Sequence, residues 1–249
     1  MMLGARTAAW AQSGYTAKDY VQDGLVAMWD GIENAGWGVH YYSDTVWQDL
    51  MRPAGTGIPI DSTMRFTNNG LSVTVDKGVT FGGDTQTSFY LQNFPLDTSS
   101  FECVFTADEY SPNASNYSGI FGIEIGNDRK FVYGMPWGVK YYSWPVGMGF
   151  LNYAYNASSI FNAPGRHYVA WSQNDESKDR MYIDAELVKS VDTKTSSLSF
   201  AHRMNFNKQY GGLGGIGGVY HCLRIYSRAL TAAETAANYA IDKARFNLP

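Results

Sequence analysis

The chain has 249 residues, 45% of them apolar and only 17% charged, with 26 Gly, 18 Tyr, 13 Phe and 7 Trp. That length suits one large all-β domain or two small ones, and low charge with many aromatics favours strands. A formal net charge of −4 with no basic stripe excludes a phosphate-backbone partner, so no nucleic acid is expected.

Residues 1–19 read as an N-terminal arm and residues 20–249 as one domain. The opening MMLGARTAAWAQSGY has an Arg and an Ala-rich patch but no unbroken apolar stretch, so it reads as a poor secretory signal. No window reaches the ~18 consecutive apolar residues of a membrane helix, so no membrane span is expected. Thr16-Ala-Lys-Asp19 can cap a single turn, and LVAMW (25–29) reads as the first strand. Residues 30–60 are turn-rich and carry Trp37, His40, Tyr41, Tyr42 and Trp47. LSVTV (71–75) alternates strictly, and SFYL (88–91) and FECVFTA (101–107) are further strands. GIFGIEI (119–125) and KFVY (130–133) flank Gly126-Asn-Asp128, whose residues suit a hairpin turn. HYVAWSQ (167–173) and RMYIDAELV (180–188) read as a second hairpin around the polar run 174–179.

The last fifth of the chain is the most patterned. Val219–Tyr226 alternates as a strand, with His221, Leu223 and Ile225 on one face and Cys222, Arg224 and Tyr226 on the other. Thr231-Ala-Ala-Glu234 is a capping box: the Thr hydroxyl can accept from a backbone N–H three residues on, while the Glu reaches back. Ala-rich sequence then predicts one helix from about Ala232 to Arg245. Regular short strands with helix signals only at the ends predict an all-β fold: a two-sheet antiparallel β-sandwich with a short C-terminal helix. Cys103 and Cys222 each sit in a strand-like run; they could pair only if those strands are neighbours, and two buried reduced thiols is the reading favoured without an export signal.

Four segments resemble one family. Gly24-Leu-Val-Ala-Met-Trp29-Asp30 with Trp47-Gln-Asp49-Leu50 resembles the "GLVAxW" and "WxDL" wording of laminin-G-like (LamG) domains of the concanavalin A-like lectin/glucanase superfamily. Phe101-Glu-Cys-Val-Phe105 resembles that family's "tiE..f" strand. His167-Tyr-Val-Ala170 with Met181-Tyr-Ile-Asp184-Ala185 resembles its "HvA … lYiDG" hairpin, with Ala185 where Gly is usual. Leu223-Arg-Ile-Tyr226-Ser-Arg228-Ala-Leu230-Thr-Ala-Ala-Glu234 resembles its closing "vRiYnRaLt.eE" signature. The likeness spans roughly residues 20–246 and implies a concanavalin A-like jelly roll of gut bacterial or phage type, in an extracellular or virion-associated setting. It also implies that Arg224, Tyr226 and Arg228 serve packing at the sheet edge, and it admits calcium held by loop oxygens, although no D-x-D-x-D-type cluster is visible.

Catalytic templates fail on the residues. Glycosidases of this superfold place two Glu and an Asp on one strand face, as E-x-D-x-x-E. Here Glu124 and Asp128 are separated by a turn, and Asp184 with Glu186 has no third carboxylate, so all read as solvated turn residues. There is no G-x-S-x-G, H-E-x-x-H or C-x-x-C, and His40, His167, His202 and His221 are dispersed. Gly211–Gly218 lacks the Lys-Ser/Thr of a phosphate loop and reads as a loop or bulge. What remains is aromatic: Trp137, Tyr141, Tyr142 and Trp144, followed by Tyr153 and Tyr155, with Trp37, Tyr41 and Tyr42 as a second candidate. Aromatic faces stack on the apolar face of sugar rings. The expectation is a non-catalytic module that binds glycan or polysaccharide through an aromatic-lined concave face, with no cofactor. Its rival is a structural domain of a phage tail or bacterial surface protein, packed against protein partners in a larger assembly without sugar; a degenerate glycoside hydrolase comes last.

Overall fold

The computed structural model describes residues 14–34, 38–39, 46–47, 49–51, 64–65, 71–74, 78–81, 89–91, 100–107, 118–125, 128–135, 138–144, 153–155, 166–173, 178–192, 203–206 and 218–248. The first strands in chain order are β1 (Leu25–Asp30), β2 (Glu33–Asn34), β3 (Gly38–Val39), β4 (Val46–Trp47), β5 (Met64–Arg65) and β6 (Leu71–Thr74). They are followed by β7 (Gly78–Phe81), β8 (Phe89–Leu91), β9 (Ser100–Ala107), β10 (Ser118–Ile125), β11 (Asp128–Met135) and β12 (Gly138–Trp144). Then come β13 (Tyr153–Tyr155), β14 (His167–Gln173), β15 (Lys178–Ile183), β16 (Glu186–Asp192), β17 (Arg203–Phe206), β18 (Gly218–Tyr226) and the helix α1 (Ala232–Phe246).

Two large antiparallel sheets make an all-β sandwich. The larger runs β16-β15-β14-β9-β18-β7-β6, and β1 also pairs with β18. Strand β9 follows β18 along its whole length, so β7 and β1 share the other edge of β18 end to end. The smaller sheet has six strands in the order β13-β12-β11-β10-β17-β8. Both sequence-predicted hairpins form, β10 with β11 and β14 with β15. The run read as one strand over 180–188 is two, because Asp184 and Ala185 take positive φ of 48° and 65° and turn the chain back into β16. Two successive left-handed residues make the turn whose twist suits a two-residue hairpin.

The central strands of the larger sheet, β1, β9, β14 and β18, are buried on both faces, while edge strand β16 exposes Leu187. One face carries Trp29, Phe101, Cys103, Trp171, Leu223 and Ile225, with the Phe101 and Trp171 rings stacked at 5.2 Å. The other carries Met28, Val104, Tyr168, Ala170, Cys222 and Tyr226, which pack with Leu230 and with Ile241, Phe246 and Leu248 of the C-terminal segment. A bulge in β18 between Tyr220 and Cys222 interrupts the alternation at His221. It brings His221 to the helix-covered face, where Nε2 lies 2.9 Å from Thr106 Oγ1 and the ring is 6.0 Å from that of Phe246; alternation alone had grouped His221 with Leu223 and Ile225. In register, Cys103 pairs with Leu223 and Cys222 with Val104. The two cysteines therefore lie on opposite faces of adjacent strands, and both are free buried thiols. Burial pushes both thiols up and so disfavours their thiolate forms.

Helix α1 begins as the sequence predicts. Thr231 Oγ1 accepts from the Glu234 N–H at 3.2 Å, Glu234 accepts from the Thr231 N–H at 2.8 Å, and Asn247 ends the helix in the left-handed region. Glu234 also takes both terminal nitrogens of Arg228, at 2.6 and 3.0 Å. The Arg228 stem crosses Gly24, which has φ of 76° and where a Cβ would stand 2.8 Å from Arg228 Cγ. That approach explains why a glycine opens the first strand motif. The two ends of the domain are closed against each other here, with Ser227 N–H donating to Gly24 C=O at 2.8 Å.

Candidate functional site

The densest polar chemistry among the described residues lies between the larger sheet and α1. Along α1, Thr235, Asn238, Asp242 and Arg245 recur at helical spacing on the face turned to the sheet, and all are buried. From the sheet, Asp30, Glu102 and Arg224 meet them, also buried. Arg224 Nε donates to Glu102 Oε2 at 2.7 Å and its terminal nitrogens grip Asp242. Arg245 donates to Asp30 Oδ2 at 2.6 Å and to Glu33 at 2.9 Å. Both guanidiniums lie over the Tyr20 ring, at 4.0 and 5.4 Å from its centroid, while the Tyr20 hydroxyl donates to Asp242 at 2.7 Å. Asn238 Nδ2 donates to both Glu102 and Tyr226, and Tyr168 donates to the other Glu102 oxygen.

This network clasps α1 to the larger sheet. Burial pushes the Glu102 carboxyl up, only partly countered by Arg224. Burial alone would lower the Arg224 pKa, but Asp242 and Glu102 beside it raise it, so the guanidinium stays charged. The carboxylates of Asp30, Glu102 and Asp242 are buried and each is engaged, while Glu33 at the rim is 40% exposed. The sequence reading missed Glu102, Asn238, Asp242 and Arg245; the signal was a polar stripe at helical spacing in a helix whose small apolar residues are mostly Ala. The expectation that Arg224 packs at a sheet edge is also corrected: β18 has neighbours on both sides, and Arg224 stands mid-sheet under α1.

A second constellation joins the β15–β16 turn to β14. Asp184 Oδ2 lies 2.8 Å from His167 Nδ1, and its Oδ1 accepts from the Tyr168 N–H at 2.9 Å. Asp184, expected as a solvated turn carboxylate, is instead tied into the sheet, with its side chain 23% exposed. Asp49 works similarly: fully buried, it accepts from the N–H groups of Met28 and Met51, both at 2.9 Å. Among the described residues, no three His, Cys, Asp or Glu side chains gather as metal ligands.

The aromatic candidates belong to the smaller sheet, where backbone register sorts them. Tyr141 pairs with Tyr153 and Val139 with Tyr155, so Tyr141, Tyr153 and Tyr155 share one face. Across the sheet that face continues through Val132, Phe121, Phe206 and Phe89. Lys130 and Ser143 also fall on this face, beside Ile123. Tyr142 and Trp144 fall on the opposite face. One row there reads Tyr142, Phe131, Gly122, Asn205 and Tyr90 across five strands; the next reads Trp144, Arg129, Glu124 and Arg203. Lys140 and Tyr133 pair on this same face. The register thus separates Tyr142 and Trp144 from Tyr141, Tyr153 and Tyr155. Trp137 and the second candidate group, Trp37, Tyr41 and Tyr42, lie outside the described residues.

No family model matches the sequence, and no curated protein does. Solved structures do match. The binding domain of botulinum neurotoxin serotype D aligns with a TM-score of 0.64 at 11% identity, over 88% of this chain and 52% of that one. The binding domain of Paraclostridial Mosquitocidal Protein 1 aligns with a TM-score of 0.62 at 12% identity, over 87% of this chain and 52% of that one. Domain 4 of AbnA, a GH43 extracellular arabinanase from Geobacillus stearothermophilus solved with arabinotriose, aligns with a TM-score of 0.50 at 13% identity, over 65% of this chain and 76% of that one. The chain spans about half the length of the two toxin binding domains. At these identities the likeness establishes the β-sandwich fold and nothing further.

Proposed function

We propose that this chain is a non-catalytic carbohydrate-binding domain, a LamG-type jelly roll of the concanavalin A-like superfold, whose ligand face is the Tyr142 and Trp144 face of the six-stranded sheet. The carrying observation is the register of β8, β17, β10, β11 and β12. It places Tyr141, Val132, Phe121, Phe206 and Phe89 with Lys130 and Ser143 on one face and, on the other, aromatics interleaved with Asn, Arg, Lys and a single Glu. Sugar recognition uses that mixture, with rings to stack on and polar groups to orient hydroxyls. Domain 4 of the arabinanase, solved with arabinotriose, shares the fold and supports the reading by analogy. The carboxylates support the non-catalytic reading: Glu124 is the one acidic residue among the described residues of this face, and a retaining glycosidase uses a pair about 5 Å apart. No cofactor enters the proposal.

The test is a glycan array of the whole chain beside Trp144→Ala and Tyr142→Ala, repeated with EDTA to expose any calcium requirement. Binding that drops at least tenfold in either variant, with unchanged melting temperature, is expected. Sugar binding that survives both substitutions would displace the site to another surface. Absence of binding to any glycan would instead favour the structural domain of a phage tail or bacterial surface assembly.

A further inference from the structure

The residues ahead of β1 run back along α1. The Ala17 N–H donates to Glu33 Oε1 at 2.9 Å, and Arg245 donates to the same oxygen at 2.9 Å. Tyr20 donates to Asp242 at 2.7 Å and accepts from Arg245 at 2.9 Å, while the Val21 N–H donates to Asn238 Oδ1 at 2.9 Å. Arg228 donates both to the Asp23 carbonyl and to the Glu234 carboxylate. Residues 17, 20, 21 and 23 thus meet residues 245, 242, 238 and 234, directly or through one intervening side chain. The ladder is antiparallel, and every rung is made by a side chain. It has two poles. At one, Ala17 and Arg245 share Glu33; at the other, the Ser227 N–H donates to Gly24 C=O close to the helix cap Thr231. The 15 residues of α1 set the poles about 22 Å apart.

We propose that residues 17–23 and α1 form a directional latch, which parts rung by rung when drawn open at the Glu33 pole and resists when drawn along its length. A load that separates Ala17 from Arg245 falls first on the bonds to Glu33 and reaches Tyr20 only after they break. A load along the helix axis strains the rungs from Tyr20 to Asp23 together. One hydrogen bond exchanged for water is a weak restraint, whereas several that must break at once are a strong one. Forced unfolding is governed by the unfolding rate, so one protein of one stability can differ in strength with direction. Opening also commits the whole fold. Once Tyr20 leaves, the Arg224 and Arg245 guanidiniums lose the ring they cover, and buried Asp242 loses a donor. The latch is independent of the ligand proposed above.

Optical-tweezers pulling of the whole chain through two pairs of handles tests the latch. One version carries Lys18→Cys with Ala244→Cys and loads the Glu33 pole; the other carries Lys18→Cys with Ala233→Cys and loads the ladder along its length. All three positions are exposed, whereas Cys103 and Cys222 are buried and stay unlabelled. Expected is a single unfolding event in each version, at a force at least about twofold lower for the first pair, with melting temperatures equal to that of the wild type. If Ala244→Cys fails to fold, Lys243→Cys, also exposed, loads the same pole. Tyr20→Phe keeps the ring against the guanidiniums but removes the hydroxyl, and should lower the force for the second pair. Equal forces for the two pairs, or greater resistance from the first, would overturn the latch. An early short step that frees residues 18–23 and leaves the rest folded would overturn its hold over the whole domain.

Discussion

Arg224 shows what a single buried charge does in this molecule. Its guanidinium bonds Glu102 on β9 and Asp242 on α1, so one side chain ties the strand next to it to the helix above it. Isolating charges from water is costly, and such a cluster holds only while each charge keeps its partner. Arg224→Met is therefore expected to destabilise the fold by about 3–5 kcal/mol, since it leaves Glu102 and Asp242 facing each other without a cation. Urea denaturation measures this; a loss under about 1 kcal/mol would show that the carboxylates find water or a proton instead. Glu234 behaves in the opposite sense because it sits at the rim. Hydrogen bonds from Arg228, above all, hold its carboxyl down to about 2, with further support from the Thr231 N–H and hydroxyl. A depressed folded-state pKa contributes stability above the usual carboxylate value near 4.5, and that contribution fades as pH falls toward 2. Melting temperatures of the wild type and Glu234→Gln should differ at pH 7 and converge by pH 2. A gap that stays constant across that range would place the effect outside ionisation.

At the scale of elements, α1 and the β15–β16 turn contrast in how plainly local sequence announces them. The capping box starts α1 where the sequence says, and Thr231→Ala should cost about 1 kcal/mol, read by urea denaturation. What the helix does once formed is less local. Its sheet-facing stripe of Thr235, Asn238, Asp242 and Arg245 is polar, and becomes intelligible only when β9 and β18 present Glu102 and Arg224 opposite. Alternation alone ran through the β15–β16 turn, because Asp184-Ala185 lacks the glycine that normally marks it, and only the family resemblance put a turn there. Ala185 holds φ of 65°, where a Cβ is unfavourable. Ala185→Gly is accordingly expected to stabilise the protein by about 1 kcal/mol, and a loss of stability would mean that the Ala side chain contributes packing that the turn needs. Gly78 is the reverse case. A Cβ there would meet Val219 Cγ1 at 2.5 Å and Tyr220 C=O at 2.7 Å, so Gly78→Ala should force β7 away from β18 and cost about 1–3 kcal/mol.

For the whole molecule, the two sheets divide the work. The central strands of the larger are buried on both faces, one of them under α1, and their charges hold the C-terminal helix to β1 and β9. The smaller supplies a face mixed in aromatic and polar residues, and the ligand proposal belongs there. Deleting residues 232–249 should abolish folding, since it exposes Tyr168 and Tyr226 and strips Arg224 of Asp242; a soluble truncated chain with a cooperative melt would contradict the clasp. By itself the sequence determined the all-β class, both hairpins and the capped helix, because period-two alternation and capping are local rules that need no distant partner. It did not determine β7, β12, β13 or β17, strands that lack a clear pattern. Tertiary structure alone decided the rest. A bulge turned His221 toward α1, strand order put Arg224 mid-sheet, and cross-strand register split Tyr142 and Trp144 from Tyr141, Tyr153 and Tyr155. Which residues share a face depends on pairing between strands far apart in the chain, and one residue of register moves every side chain to the other side.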